Sequence, residues 1–365
     1  MSVDRLAILG AYPPPYGGVT VHTRRLCALL EEAGVAYRVY NAVSSTEDGQ
    51  RVVSVSRRRR SWMLNYTLTG RERAVYLMSL HLASWVAGAL MASLRHKRVV
   101  LRLQSEHLIE WERTSPLRRA LARFALRRMT GVVCVSRKLA GVVERFGVDR
   151  SRIHWFPGFL PPTPDERGKQ HVAREVWEFA EQHQPLLAAN GKVDWHRGID
   201  LYSLDHMVEL AARLKPDFPR VGIIVCFWEH LPEDQAYLDR LRRRAAELRV
   251  SDHILFHTRP GLFLPVIDAA DIFLRPTNTD GDANSIREAL ALGVPVVASD
   301  AVERPPGARI FQCRDLADLE VKVRETLSGR APRDGADPGP IRIAHEDRER
   351  QQRYVDFLAR LAGGV

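Results

Sequence analysis

The chain has 365 residues, of which 45% are hydrophobic, 27% charged and 8% aromatic. This composition excludes a mainly disordered or fibrous chain, and the length suggests two domains with sizeable cores. The formal net charge of +10 is uneven, because residues 1–160 carry 26 basic and 11 acidic side chains, whereas residues 161–365 carry 28 and 33. A cationic first half is typical of a protein that meets an anionic partner, which could be phospholipid, a pyrophosphate-linked acceptor or nucleic acid.

The first half alternates short apolar runs with amphipathic segments, which predicts parallel strands joined by helices. The loop 11–19 contains three consecutive prolines and cannot be helical. We predict strands at 5–10, 35–40, 99–103, 131–136 and 153–157. The predicted helices are 21–32, 82–94, 116–129 and 138–146.

The second half repeats this alternation after a proline-rich boundary at 160–169. Predicted strands are 185–189, 221–227, 253–256, 272–275 and 294–298. Predicted helices are 202–214, 233–248, 265–270, 285–292, 315–328 and 344–361. The chain therefore reads as α/β with two Rossmann-like doubly wound domains, residues 1–160 and 185–335, joined by a linker over 161–184.

The cysteines and the apolar runs indicate in which cellular compartment the protein is expected. The four cysteines are far apart and form no C-x-x-C pair: Cys27, Cys134, Cys226 and Cys313. This spacing argues against a disulfide framework or a zinc ribbon and suits a reducing compartment. No secretory signal opens the chain, and the longest apolar run, 82–94, is shorter than the roughly 20 residues that span a bilayer. We expect a cytoplasmic protein.

The segment 271–300 is the most specific part of the sequence, because it reads strand, polar loop, helix, tight turn and strand. Such a loop presents backbone N–H groups at a helix start and at the carboxyl edge of a parallel sheet, which is an anion site. Asp280 lies in the loop and Glu288 on the helix, where they could accept hydrogen bonds from a sugar and from a ribose. A capped helix with a surface glutamate is the alternative.

This segment resembles the signature of the retaining glycosyltransferases of the GT-B fold, in particular their family 4. The family pattern is an acid, seven residues, Glu-Ala, and a Gly-x-Pro turn before a Val-rich strand. Here it reads Asp280, seven residues, Glu288-Ala289 and then Gly293-Val-Pro295. Asp280 stands where the family has Glu. The residues around Asp280 resemble those of a branch of this family that is common in bacterial polysaccharide clusters. The resemblance to the family covers nearly the whole chain.

Two further blocks match the family in order. Gly191-Lys192 and Arg197-Gly198 resemble the block whose two basic side chains bind the donor pyrophosphate, with Lys and Arg exchanged. The block Tyr16-Gly17-Gly18-Val19, followed by His22, resembles the glycine loop after the first strand, where glycine allows close approach to phosphate or sugar. The resemblance also implies donor contacts for Gly281, Asn284 and Ser285.

One position departs from the family. Many relatives carry a donor-contacting His after the strand predicted at 99–103, whereas this chain has Gln104 there and His107 three residues on. Either side chain could contact substrate, and His107 could instead be a surface histidine. The Asp280-Gly-Asp282 triplet also fits the metal-binding D-x-D of another glycosyltransferase fold. Its late position, opening a helix in a second α/β domain, argues against a metal, and we expect none.

A run of arginines precedes an apolar stretch in the first half: Arg57, Arg58, Arg59, Arg60 and Trp62. The predicted helix 116–129 is also rich in arginine. These segments could form a patch that binds an anionic membrane surface or acceptor, or they could simply be solvated faces. No nucleic-acid motif accompanies the charge, so we expect no nucleic-acid partner.

The resemblance implies a metal-independent enzyme that transfers a sugar, with retention, from a nucleotide-diphosphate donor to a glycan or polyprenyl-linked acceptor. The donor is a co-substrate, and we expect no cofactor. The two domains would face a cleft, with the donor in the second and the acceptor in the first, and the final helix 344–365 would pack on the first. Alternatives are a soluble acceptor, such as a specialised metabolite, and a non-catalytic binding protein. The protein could lie peripherally on the inner face of the plasma membrane.

Overall fold

The computed structural model describes residues 5–49, 51–79, 81–104, 108, 115–156, 158–259, 261–280, 283–329 and 341–363. It forms two compact units. Unit 1 comprises Met1–Leu160 and His345–Val365, and unit 2 comprises Pro161–Ala344.

Unit 1 is built on a seven-stranded parallel sheet of order β3-β2-β1-β4-β5-β6-β7. Its strands are β1 (Leu6–Gly10), β2 (Tyr37–Asn41), β3 (Val52–Ser54), β4 (Ala74–Leu77), β5 (Arg98–Leu103), β6 (Gly131–Cys134) and β7 (Ile153–Trp155). The central strand β1 is buried along its whole length. Such a strand is an apolar run rather than an alternating one, because helices cover both faces of the sheet.

In the described part of unit 1, the helices that cover this sheet are α1 (Gly18–Glu32), α2 (Arg59–Thr69), α3 (Leu82–Leu94), α4 (Pro116–Arg128), α5 (Arg137–Arg145) and α12 (His345–Gly363). One core contains Trp85 of α3, Leu126 of α4 and Val142 of α5. A second core contains Leu26 of α1 and Leu358 of α12.

The C-terminal helix α12 packs on unit 1, although about 180 residues of unit 2 precede it in the chain. The hydroxyl of its Tyr354 lies 2.6 Å from that of Tyr76 on β4. Arg98 of β5 donates to the last carbonyls of the helix, at 2.9 Å to Leu361 and 3.0 Å to Ala362. These bonds satisfy C-terminal carbonyls that have no partner within the helix.

Unit 2 has a six-stranded parallel sheet of order β12-β11-β8-β13-β14-β15. Its strands are β8 (Leu186–Gly191), β11 (Gly222–Phe227), β12 (Ile254–His257), β13 (Ile272–Arg275), β14 (Val296–Ser299) and β15 (Ala308–Phe311), and a hairpin pairs β9 (Trp195–His196) with β10 (Ile199–Asp200). The helices are α6 (Arg174–Gln182), α7 (Leu204–Leu214), α8 (Gln235–Glu247), α9 (Leu264–Ala269), α10 (Asn284–Ala291) and α11 (Leu316–Ser328).

The sheet order of unit 2 is that of the Rossmann fold, in which the chain winds outward in both directions from its first strand. Both units have such a reversal, between β1 and β4 in unit 1 and between β8 and β13 in unit 2. Ligands of doubly wound sheets bind at the carboxyl ends of the strands on either side of this switch point. The prediction of two Rossmann-like sheets is confirmed.

The structure also contains elements that the sequence analysis did not predict. These are β3, α2 and β4 in unit 1, and α6, the β9–β10 hairpin and β15 in unit 2. The segment 161–184 is not a plain linker, because α6 lies within it and its Val176 belongs to a core of unit 2. The first helix begins at Gly18 rather than at residue 21.

Candidate functional site

The switch point of unit 2 brings the ends of β8 and β13 side by side. Arg275, the last residue of β13, donates from Nη1 to Asn190 of β8, at 2.9 Å to Oδ1 and 3.3 Å to the carbonyl oxygen. Its guanidinium carbon lies 5.3 Å from the centre of the Tyr202 ring. Arg275 therefore links the ends of β8 and β13 by hydrogen bonds, at the edge of the sheet where Rossmann folds bind their ligands.

The carboxylate of Asp280 is bound by two arginines. Arg275 holds it with two bonds, Nε to Oδ2 at 2.8 Å and Nη2 to Oδ1 at 3.0 Å. Arg304 adds a bond from Nη1 to Oδ2 at 2.9 Å, and the hydroxyl of Thr277 lies 3.1 Å from the same oxygen. We call Arg275, Asp280, Arg304 and Thr277 the Asp280 clamp.

The Asp280 clamp is a buried charge network. The exposed fractions of the side chains are 8% for Arg275, 10% for Asp280 and 2% for Arg304. Burial alone would raise the pKa of Asp280, but the bonds and charges of Arg275 and Arg304 hold it below its usual value. The contacts of Asp280 therefore position the loop before α10. A direct contact of Asp280 with a donor sugar stays a prediction.

Helix α10 begins without a capping side chain. Its N-cap residue is Ala283, whose side chain accepts no hydrogen bond, so the first amides have no side-chain cap. Within the described part of the chain, the buried Oδ1 of Asn284 also has no partner. Ser285 and Glu288 are buried on the same helix. The expected donor contact Gly281 lies outside the described residues.

Of the two basic side chains expected at the pyrophosphate, Lys192 follows β8 directly and Arg197 lies in the β9–β10 hairpin. Lys192 is partly exposed, with Nζ 3.2 Å from Glu229 and 3.5 Å from Asp194. Burial would lower its pKa, but the carboxylates of Glu229 and Asp194 raise it above the usual value. Lys192 thus stays protonated. Arg197 is exposed at the turn of the β9–β10 hairpin, with φ +52°.

In unit 1, the glycine loop leads into α1 at the carboxyl end of β1. Gly17 is the N-cap residue, its amide donates to Thr20 Oγ1 at 2.9 Å, and Gly18 is the first residue of the helix. A Cβ at either glycine would meet nothing within 4 Å, so both glycines face open space. His22 is buried, its Nδ1 lies 2.8 Å from the carbonyl of Gly158, and burial lowers its pKa well below the usual value.

Gln104 follows β5 and lines a cavity of about 240 Å³ in unit 1. Its amide nitrogen Nε2 is buried and has no hydrogen-bond partner within the described ranges. His107 lies outside the described residues. Of the two alternatives for the donor-sugar contact, the structure thus describes only Gln104.

The basic run divides into an exposed and a packed part. Arg57, Arg58 and Arg60 are exposed. Trp62 instead packs on core residues, with ring-centre distances of 4.8 Å to both Tyr40 and Tyr66. Trp62 is thus partly buried, and its place in a membrane or acceptor patch stays a prediction. The exposed apolar residues of α2 are Leu64 and Leu68, which lie one helical turn apart.

Within the described ranges, no group of three or more His, Cys, Asp or Glu side chains could hold a metal ion, and Asp282 of the D-x-D triplet lies outside those ranges. No helix in that part of the chain combines the length and the apolar character needed to cross a bilayer.

Comparison with known proteins gives the same class for both units. Residues 16–163 match the model "Glycosyltransferase Family 4" and residues 195–308 match "Glycosyl transferases group 1". A curated relative is the lipopolysaccharide core biosynthesis mannosyltransferase LpsB of Rhizobium meliloti, 26% identical over 185 residues. The match covers 49% of this chain and spans about half, 48%, of that relative.

Solved structures match over the whole chain. The Anabaena protein HepE in complex with UDP is 14% identical with a TM-score of 0.60, and the match covers 97% of this chain and 99% of HepE. A glycosyltransferase from Rickettsia africae is 12% identical with a TM-score of 0.62, with 99% and 97% covered.

The class is thus defined at the level of the fold and of its domains. The chain has the GT-B fold of two Rossmann-like units. Two glycosyltransferase family models match it in succession, one over residues 16–163 and the other over residues 195–308.

The sequence analysis did not identify three arginines near the carboxyl ends of the strands: Arg102 in unit 1, and Arg275 and Arg304 in unit 2. Arg275 and Arg102 each carried a signal, because a charge within or at the end of a buried parallel strand is unusual and implies a specific partner. Arg304 lies in a loop without secondary structure, and nothing in its sequence neighbourhood points to Asp280.

Proposed function

We propose that the protein transfers a sugar from a nucleotide-diphosphate donor bound by unit 2 to an acceptor bound by unit 1, with retention at the anomeric carbon. The observation that carries this proposal is the start of α10. Uncapped amides, the unpartnered Asn284 Oδ1 and the buried Glu288 lie together after β13, at the switch point of a Rossmann sheet. Both glycosyltransferase domain matches and the UDP and UDP-glucose complexes of HepE support it.

The residues take these roles in the proposal. Glu288 accepts hydrogen bonds from ribose hydroxyls, and the amides near Asn284 and Ser285 face the β-phosphate. Lys192 and Arg197 neutralise charge on the leaving pyrophosphate, so this step needs no metal. The leaving phosphate takes the proton of an acceptor hydroxyl that attacks from the same face. Asp280 acts indirectly, because its clamp fixes the loop that carries these groups.

For the acceptor we propose a glycan or a lipid-linked saccharide of bacterial polysaccharide synthesis, met at an anionic membrane surface. The likeness to the LpsB mannosyltransferase supports the first point. The exposed Arg57, Arg58 and Arg60 beside the exposed Leu64 and Leu68 support the second, because anionic lipids attract such a combination.

A soluble acceptor is the second candidate. The mainly apolar cavity of unit 1 favours it, because a cavity of about 240 Å³ suits a compact small molecule better than an extended glycan. Sugar transfer without lipid would select this candidate.

The donor site can be tested by thermal denaturation with a panel of UDP-, GDP-, ADP- and dTDP-sugars. A donor at about 100 times its dissociation constant adds roughly 2.7 kcal/mol, which raises the melting temperature by several degrees. We expect one nucleotide class to give this shift in the wild type and Glu288→Ala to lose it. The matched control Glu247→Ala, exposed on α8, should keep it. Sugar transfer at the wild-type rate by Glu288→Ala would refute the assigned site.

A further inference from the structure

The cavity of unit 1 lies at the switch point of its sheet. Leu9 and Gly10 of β1 and Leu77 and Met78 at the end of β4 contribute to its lining. A Cβ on Gly10 would lie 3.0 Å from the Cβ of Met78, so the glycine permits the close approach of the two strand ends. A cavity in this position is where a doubly wound sheet binds a ligand.

Most of the cavity wall is apolar. Tyr40 and Val55 form part of it from the β2 and β3 side, and Trp62 and Met63 from α2. Trp62 and Tyr40 are mutually packed, so the aromatic wall is fixed before any ligand binds. At about 240 Å³ the cavity exceeds the roughly 150 Å³ that holds benzene in an engineered core, so it has room for a ring with a short chain.

The polar part of the lining carries a charge that the described residues do not neutralise. Arg102 of β5 is 1% exposed and forms no ion pair within the described part of the chain. Its Nη1 donates to the hydroxyl of Tyr354 at 3.2 Å, whereas its Nε finds no acceptor among the residues that the structure describes. Burial raises the pKa of Tyr354 and of Tyr76, so neither phenol offers a negative charge.

A buried cation without a counter-ion is costly, because the energy of leaving water is not returned by a charge partner. Gln104 adds to the same lining a second nitrogen that has no acceptor among the described residues. Two nitrogens that lack acceptors in that part of the chain, one of them on a guanidinium, suit the oxygens of a carboxylate or phosphate.

We infer that this cavity binds a compact apolar group of the acceptor, and that Arg102 and Gln104 bind an anionic group attached to it. The inference rests on the proposed transfer reaction only in calling the ligand an acceptor. The anion is a phosphate if the acceptor is a lipid phosphate and a carboxylate if it is a soluble acid. In either case the cavity selects acceptors by an apolar group and a charge rather than by sugar hydroxyls.

The test measures binding of three probes to the full chain by calorimetry: 3-phenylpropionate, 2-phenylethyl phosphate and the uncharged 3-phenylpropanol. We expect at least one anion to bind about tenfold more tightly than the alcohol, since a hydrogen bond to a charged group contributes about 1.5–3 kcal/mol. Tighter binding of the phosphate points to a lipid phosphate, and tighter binding of the carboxylate to a soluble acid. Equal affinity for all three probes, or no binding at millimolar concentration, overturns the inference.

Variants locate the site. Gln104→Leu should weaken binding of the preferred anion about tenfold and leave the alcohol unchanged, and Arg102→Met should abolish the preference for the anion. Ala42→Phe, which adds a ring at the cavity wall, should weaken all three probes. Arg119→Met, which removes an exposed charge from α4 of the same unit, is the matched control and should bind as the wild type does.

Gln104 is only half-buried, so its variant keeps the test usable if Arg102→Met does not fold. Unchanged anion binding in Gln104→Leu and Ala42→Phe would overturn the inference. The nucleotide-sugar panel measures binding to unit 2, whereas the three probes measure binding to the cavity of unit 1. One proposal can therefore fail while the other stands. Nucleotide binding without probe binding removes the cavity assignment and leaves sugar transfer standing, whereas the reverse result removes sugar transfer alone.

Discussion

Asp280 lies between two buried arginines, and its removal should destabilise unit 2. Asp280→Asn leaves Arg275 and Arg304 buried without a full counter-charge, which costs about 3–5 kcal/mol when one partner of a buried pair is lost. Asp280→Glu keeps the charge and should cost less. Urea denaturation at pH 7 measures both free energies of unfolding. A loss below about 1 kcal/mol in Asp280→Asn would show that the clamp is not a structural network.

The same contacts make the stability of the clamp depend on pH in a defined direction. The folded pKa of Asp280 lies below its usual value, so the unfolded chain binds the proton more readily than the folded one. The stabilisation is present above the unfolded pKa of about 3.9 and is lost as the pH falls through the lower folded pKa. Below about pH 4, the difference in unfolding free energy between wild type and Asp280→Asn should therefore shrink.

At the scale of the element, α12 is held to the sheet of unit 1 through Tyr354. Tyr354→Phe removes a hydroxyl that bonds Tyr76 and Arg102 and should cost about 1–3 kcal/mol, the price of unpaired buried polar groups. Tyr354→Ala also removes the ring and should cost about 3–5 kcal/mol. Denaturation measures both. An unchanged stability in Tyr354→Phe would show that the hydroxyl contributes nothing, and equal losses in the two variants would show that the ring contributes nothing.

The eleven residues of helix α2 include both a side chain that packs on the core and side chains that are exposed at the surface. Trp62→Ala should destabilise unit 1 by about 2 kcal/mol, because the indole stacks on Tyr40 and Tyr66. Leu64→Ser and Leu68→Ser should change the stability by less than about 0.5 kcal/mol, because both side chains are more than half exposed. Thermal denaturation of the three variants decides this. A stable Trp62→Ala would favour a place for Trp62 in the surface patch.

Helix α2 also shows why part of the fold could not be predicted from the sequence. The alternation of apolar and amphipathic runs was enough to predict a doubly wound parallel sheet in each unit, because parallel strands are buried on both faces. At α2, however, the four arginines Arg57 to Arg60 run across the start of the helix and conceal its pattern, and β4 is a four-residue strand whose central position depends on its neighbours β1 and β5.

The candidate site divides in the same way. The spacing of Asp280 and Glu288 placed them in a loop and on the following helix, where the structure has them. The spacing could not show that Asp280 is bound by Arg304, twenty-four residues later, because that contact exists only once β14 lies beside β13. The contact of Arg102 could not be predicted either, because its partner Tyr354 lies on a helix 252 residues later in the chain.

At the scale of the molecule, the charge is divided between the units, and this should govern binding to membranes. Residues 345–365 carry equal numbers of acids and bases, so unit 1 keeps the excess of 15 positive charges while unit 2 is net negative. Each Arg near an anionic surface contributes about 1 kcal/mol, and salt screens this attraction over about 10 Å at 0.1 M.

We expect the full chain to bind anionic vesicles and to be released as salt rises to about 0.5 M. Replacing Arg57, Arg58 and Arg60 by Ser should weaken binding at least about tenfold, whereas the same replacement of Arg220, Arg242 and Arg243 in unit 2 should not. Co-sedimentation measures both triples, and equal losses would mean that net charge, rather than this face of unit 1, attracts the protein to lipid.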